Sequence, residues 1–164
     1  MHNHTARGRW IDRLFKREEM DGDGRCATYL VRWTLLKWWG GRGLYLHHFV
    51  GDDWSFDLHD HPKRFVSIGL WGSYLEATPT RSDSRDAADL LTGVTWQAFS
   101  APWIRTFPAE HIHRIELING RPCWTLVIVL KPVREWGFWH FGKFIPWRQY
   151  AADGSIANQM KSCP

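Results

Sequence analysis

Cysteine is scarce in this 164-residue chain: only Cys26, Cys123 and Cys163 occur, and they lie far apart. Three scattered thiols exclude a disulfide framework and a thiolate zinc cage, and they agree with a reducing compartment. Long apolar runs are missing too. The longest, Cys123 to Leu130 (CWTLVIVL), falls well short of the ~20 residues that cross a bilayer, and the start MHNHTARGRW has no apolar signal-peptide core. No membrane partner is expected, and the chain reads as cytoplasmic. Nothing repeats at a fixed period, and no helical segments alternate with the strand-like ones, so parallel α/β architectures are out. The Asp21-Gly-Asp-Gly24 stretch lacks the further ligands and closing Glu of a calcium loop and reads as a turn.

Charge of one sign is only mildly in excess. The net charge is +4, and part of it comes from Arg7, Arg9, Arg13, Lys16 and Arg17 near the start. Asp12, Glu18 and Glu19 are interleaved with them. That mixture reads as a solvated helix face, so nucleic acid is not the expected partner. Apolar residues make up 44% of the chain and charged residues 23%, enough for one well-filled core and against disorder over most of the length. Twelve tryptophans are the compositional outlier; most belong in the core, and some can stack planar ligands.

Trp10, Ile11, Leu14 and Phe15 recur at helical spacing, so residues 9–18 read as a short amphipathic helix. From Ala27 onward, β-branched and aromatic residues alternate with frequent Gly, Pro, Asn and Asp. Strands are predicted at 27–38, 43–50, 55–61, 64–76, 93–99, 103–107, 112–118, 122–131 and 135–142. Gly40 to Gly43 and Asn119-Gly120 carry hairpin signals. Residues 78–92 are polar and turn-rich and read as one long loop, with a helical turn at Asp86–Leu91. The fold class is all-β, a barrel or double-sheet jelly roll with small helical additions. Three parts follow: an N-terminal helical extension over 1–25, a β-barrel over 26–150 and a polar tail over 151–164.

Histidine is where the chemistry concentrates. In a strand, residues i and i+2 share a face, so His59 and His61 of HDHP can point into the barrel together. About fifty residues later, His111 and His113 repeat the arrangement on another predicted strand. Two such pairs point to a metal site, and imidazole alone does not choose among iron, zinc, copper, nickel and manganese.

These residues resemble the cupin superfamily. Gly51, His59, His61 and Gly72 are similar to its first motif, and Pro108-Ala-Glu110-His111-Ile-His113 to its second, with Glu110 in place of a Gly. The likeness covers residues 51–117 and extends through the strand pattern to about 140. HDHP, FVSIGLWGSYLE, HRIEL and REWGFWHF also resemble small uncharacterised cupins of bacteria and phages. The resemblance implies a double-stranded β-helix, or jelly-roll barrel, with a short N-terminal helix, holding a divalent metal on His59, His61 and His113. The motif's glutamate should fall near position 65, where this chain has Phe65. Three histidines without a carboxylate leave about three positions open on an octahedral ion, and this resembles the iron sites of thiol and diketone dioxygenases. Fe(II) is the expected metal, with Zn, Ni or Mn as alternatives, and His111 or His47 is a candidate fourth ligand.

Around the site, Phe65, Ser67, Gly69 and Trp71 share strand parity with His59 and His61 and should form an inner wall. Arg105 and Lys63 are the candidates to steer an anionic substrate; Arg64 and Arg114 have outward parity. Tyr74 and Glu76 are candidates for proton transfer. The aromatic stretch from Arg134 to Trp147 either lines a pocket mouth or covers a sheet edge. The expected function is an oxygenase-like metal enzyme acting on a small molecule, an anionic one among the candidates, and a homodimer is compatible with such a chain. A non-catalytic module for a small ligand or nucleic acid is the alternative, and a metal-free isomerase or epimerase is disfavoured because one base needs only one histidine.

Overall fold

Two successive glycines set the first hairpin. Gly40 and Gly41 take φ of 73° and 71°, a left-handed backbone open to residues without a Cβ. They join β2 (Leu30–Trp38) to β3 (Arg42–Phe49), which pair antiparallel from Leu30↔Phe49 to Trp38↔Arg42. The structure is a computed structural model describing residues 9–20, 28–80 and 93–152. Its other strands are β1 (Lys16–Met20), β4 (Leu58–His59), β5 (Lys63–Trp71), β6 (Ser73–Pro79), β7 (Val94–Ser100), β8 (Trp103–Phe107), β9 (Arg114–Leu117), β10 (Cys123–Pro132), β11 (Gly137–His140) and β12 (Lys143–Pro146). Two short helices, α1 (Arg9–Leu14) and α2 (Trp147–Ala152), stand at the ends.

One wall is a six-stranded sheet in the order β1-β2-β3-β10-β5-β8. The other consists of two three-stranded sheets, β12-β11-β4 and β7-β6-β9, joined by a backbone bridge between His59 and His113. Alternation decides what faces inward. Tyr45 and Phe49 of β3, Ser67 of β5, and Cys123, Thr125 and Val127 of β10 are buried, whereas Leu70, Ile104 and Leu130 on the opposite parity are exposed. Leu30, Phe49, Tyr74, Ile115, Leu117 and Cys123 form the main core cluster across the two walls.

Several elements differ from expectation. The helix expected over 9–18 stops at Leu14, and Lys16–Met20 instead pairs with β2, where Glu18 accepts bonds from Arg32 Nε at 3.1 Å and Nη2 at 2.6 Å. Asn119 and Gly120 do take left-handed φ values of 55° and 64°, but they close no hairpin. β9 pairs with β6, and β10 pairs with β3 and β5, so the turn carries the chain from one wall to the other. Burial of Ile115 and Leu117 against Tyr74 outweighs the local turn preference. The strand expected over 64–76 breaks at Gly72, and a register shift beside Trp124 turns Trp71 outward, leaving it 59% exposed. The predicted 55–61 strand shrinks to Leu58–His59, while β12 and α2 were not anticipated. The Asp21–Gly24 turn, Asp86–Leu91, Cys26 and Cys163 lie outside the described residues.

Candidate metal centre

Backbone pairing brings the two histidine motifs together. The N–H of His59 donates to the carbonyl of His113 at 2.8 Å, and the N–H of His113 returns a bond to His59 at 2.9 Å. Two residues on, the N–H of His61 bonds to Ala109 at 3.0 Å. The chain thus places one pair beside the other at a strand edge, and period-2 alternation aims His59 and His61 the same way. His61 Nε2 and His113 Nε2 face each other at 2.8 Å. The ring centroids of His59 lie 5.2 Å from His61 and 5.0 Å from His113. One nitrogen from each of the three rings falls within 4.8 Å of the others.

A carboxylate stands behind this trio. Glu76 Oε1 is 2.7 Å from His113 Nδ1 and 2.9 Å from His111 Nε2, and Oε2 accepts from Arg105 Nη2 at 2.5 Å. With the His113 Nδ1 proton held there, its Nε2 lone pair is left to face His61. Burial alone would raise the Glu76 carboxyl; the bonds from His111, His113 and Arg105 outweigh it and hold the group far below the usual carboxylate range. His59 and His61 are pushed well below the ordinary histidine range, chiefly by burial and then by His113. Neutral imidazoles with inward lone pairs are the form that binds a divalent metal, so the donor set fits one.

The centre borders a cavity of about 440 Å³ between the walls. Phe65 lines it, with its ring edge-on to His61 at 4.8 Å and stacked on Phe107 at 4.6 Å. The position expected for a carboxylate therefore carries an apolar wall beside the histidines. Ser67 also borders the cavity, as do Trp136 and Phe138 from the aromatic C-terminal stretch, and β11 at the same time pairs with the edge of β4. Asp53, which sequence reasoning passed over, is there too. Its Oδ2 accepts from the N–H of Ile115 at 2.7 Å and lies 3.8 Å from His59 Nδ1, and burial raises its carboxyl to about 6. No motif marks Asp53, because only the fold brings the loop before β4 against β9.

The other candidates separate by contact. Tyr74 lines the cavity, and its oxygen accepts from Arg105 Nη1 at 2.8 Å; burial raises the phenol beyond its usual range. Arg105 sits over the Phe99 ring at 3.6 Å and is bonded to Glu76 and to Tyr74, which lines the cavity. Lys63 borders the cavity and donates to the Gly41 carbonyl at 2.5 Å. Arg64 is exposed, and Arg114 is bonded to Glu116 and the Phe56 carbonyl. His111 turns to Glu76; it forms a second grouping with Glu76 and His113, which their hydrogen bonds already account for. His47 is in neither grouping, although it borders the cavity.

Two antiparallel walls enclose a cavity, and histidine pairs from two distant motifs meet on one of them. The fold is cupin-like. Among solved structures, this chain is similar to the DMSP lyase DddQ from Ruegeria pomeroyi DSS-3, with 13% identity, a TM-score of 0.50, and coverage of 71% of this chain and 56% of that one. It is similar also to a cupin superfamily protein from Desulfitobacterium hafniense, at 15% identity and a TM-score of 0.44 over 62% of this chain and 77% of that one. A double-stranded β-helix protein from Klebsiella pneumoniae gives 12% identity and a TM-score of 0.48 over 78% of this chain and 92% of that one. The chain thus spans little more than half of the lyase. No family model matches its sequence, and no curated protein does. In this cupin-like barrel, no helix among the described residues is long and apolar enough to cross a membrane.

Proposed function

We propose that this cupin-like protein is a metal-dependent enzyme of the dioxygenase type, holding Fe(II) on His59, His61 and His113 and acting on a small molecule in the adjoining cavity. The observation that carries the reading is the meeting of His61 Nε2 and His113 Nε2 at 2.8 Å beside His59, on the wall of a largely apolar chamber. A divalent metal held there would supply Lewis-acid and redox chemistry. The chain's own residues do the rest. Phe65 and Phe107 keep water from the histidines and leave no protein carboxylate at position 65. Glu76 keeps the proton on His113 Nδ1, and Tyr74, whose oxygen Arg105 holds, keeps its hydroxyl proton beside the cavity as a donor to substrate. A carboxylate in place of Phe65 would occupy a position that this arrangement leaves to substrate.

The test begins with elemental analysis: close to one divalent ion per chain is expected, with sharp loss in His59→Ala, His61→Ala and His113→Ala. Full metal in all three variants would overturn the ligand set. Nitric oxide binding to the ferrous protein under anaerobic conditions then separates an open centre from a closed one. The parent should give a ferrous nitrosyl signal, and Phe65→Glu should retain metal but lose most of it; equal signals would sink the open-position reading.

A further inference from the structure

The rim of the cavity carries positive charge that the protein leaves only partly answered. Lys63 opens β5 two residues past His61 and shares the inner face of that strand with Phe65. Both Lys63 and Arg32 border the cavity. The Lys63 ammonium donates to the Gly41 carbonyl at 2.5 Å, a neutral acceptor, and has no carboxylate partner among the described residues. Arg32 of β2 lies opposite His47, which borders the same cavity, and its guanidinium stands over the Tyr45 ring at 5.1 Å. Its Nε and Nη2 bond Glu18, while Nη1 has no partner among the described residues. Glu18 is shared with Lys16 at 2.8 Å, so one carboxylate answers two cations.

Charge decides what these groups can meet. Burial, then the charges of Arg32 and Lys37, lower the Lys63 ammonium from the ordinary lysine range, so three cations gather at this rim. An incoming anion relieves their mutual repulsion. A divalent ion on the three neutral histidines adds two further positive charges to the chamber, and Asp53, the carboxylate that borders it, offsets only one of them. Glu76 and Arg105, behind the histidines, cancel each other. The two oxygens of a carboxylate suit one ammonium and one guanidinium N–H. Phe65, Phe107 and Val129 line the same cavity with apolar surface. We infer that Lys63 and Arg32 hold the carboxylate of a small anionic substrate at the rim, while its apolar body lies against Phe65 and reaches the ion. This rests on the cavity being the substrate chamber of the metal centre, and it narrows the substrate class from a small molecule to a small carboxylate with an apolar body.

Benzoate, its uncharged near-isostere benzamide, and benzylammonium serve as probes. They are titrated by ligand-observed NMR into the parent, Lys63→Met, Lys63→Arg and Arg32→Met, each both loaded with Zn(II) and metal-free. The parent should prefer benzoate to benzamide by about tenfold or more, with benzylammonium weakest. Lys63→Met should weaken benzoate about tenfold, the weight of one charge-assisted hydrogen bond, and should leave benzamide unchanged. Lys63→Arg should recover most of the loss. Arg32→Met should weaken benzoate by a smaller factor, about threefold, because Glu18 already holds two of the Arg32 nitrogens. Benzoate affinity unchanged in Lys63→Met would place the carboxylate on the ion alone and overturn the rim subsite. So would an equal loss for benzamide, which would mark a packing defect, or no response to Arg32→Met. Metal content is read in the same samples. A parent that holds no metal yet shows the Lys63-dependent preference would remove the proposed enzyme and leave the subsite standing; a fully loaded parent whose benzoate affinity ignores Lys63 would do the reverse.

Discussion

Glu76 illustrates how a residue outside the cavity can set the chemistry inside it. Both its oxygens are occupied, by two imidazoles and one guanidinium, and it is 2% exposed. A charged acceptor on the rear nitrogen of a ligating histidine fixes the tautomer and raises the basicity of the other nitrogen, an arrangement whose loss costs 10–100-fold in affinity in general. Glu76→Gln keeps the shape and one acceptor but removes the charge. Competition against a chromogenic chelator should show metal affinity falling about 10–100-fold in Glu76→Gln, while His111→Phe, which removes a second donor to the same oxygen, should change it far less. Equal affinity in Glu76→Gln and parent would reduce Glu76 to a packing role.

At the scale of elements, an ion pair adds to the backbone pairing that holds β1 on β2. Glu18 bridges Lys16 at 2.8 Å on its own strand and Arg32 at 2.6 Å on β2. The bonds from Lys16 and then Arg32 lower the Glu18 carboxyl from 4.5 to about 2. A carboxyl depressed in the fold contributes stability that is present above its unfolded value and disappears as pH falls through its folded one. The loss should therefore run from about 4.5 down to about 2. Melting curves across that window should fall more steeply for the parent than for Glu18→Gln, by a modest margin because the pair is partly solvated. Parallel curves would show that the pair contributes nothing to docking β1.

Over the whole molecule, the candidate metal centre brings together segments that the chain order separates. His59 ends β4, His61 follows it before β5, and His113 precedes β9, so an ion held there would clamp the seam where the two small sheets meet. Anything that binds only the folded state stabilises it by mass action, about 2.7 kcal/mol at a hundredfold excess over the dissociation constant. For a chain of this size that corresponds to a rise of roughly 5–10 °C in melting temperature. Chelation should lower the melting point by that amount, added Fe(II) or Zn(II) should restore it, and His59→Ala should show neither change. A parent insensitive to chelator and metal alike would contradict the coupling.

The sequence by itself determined the all-β class, the inward pairing of His59 with His61, and the apolar residue at position 65, because each rests on the two-residue period of an extended chain or on identity at one position. The hairpin at Gly40-Gly41 was equally legible, since its glycines supply the backbone its turn requires. Asn119-Gly120 carries the same local signal, yet β9 and β10 part to opposite walls, a choice made by burial of Ile115 and Leu117. Trp71 faced inward by counting and lies outward in fact, because a register shift beside Trp124 resets the count. Only the tertiary structure decided that Glu76 would stand behind His113 and that Arg105 would be committed to Glu76 and Tyr74. Those are contacts between strands far apart in sequence, fixed by sheet register and burial, and no spacing along a single chain encodes them.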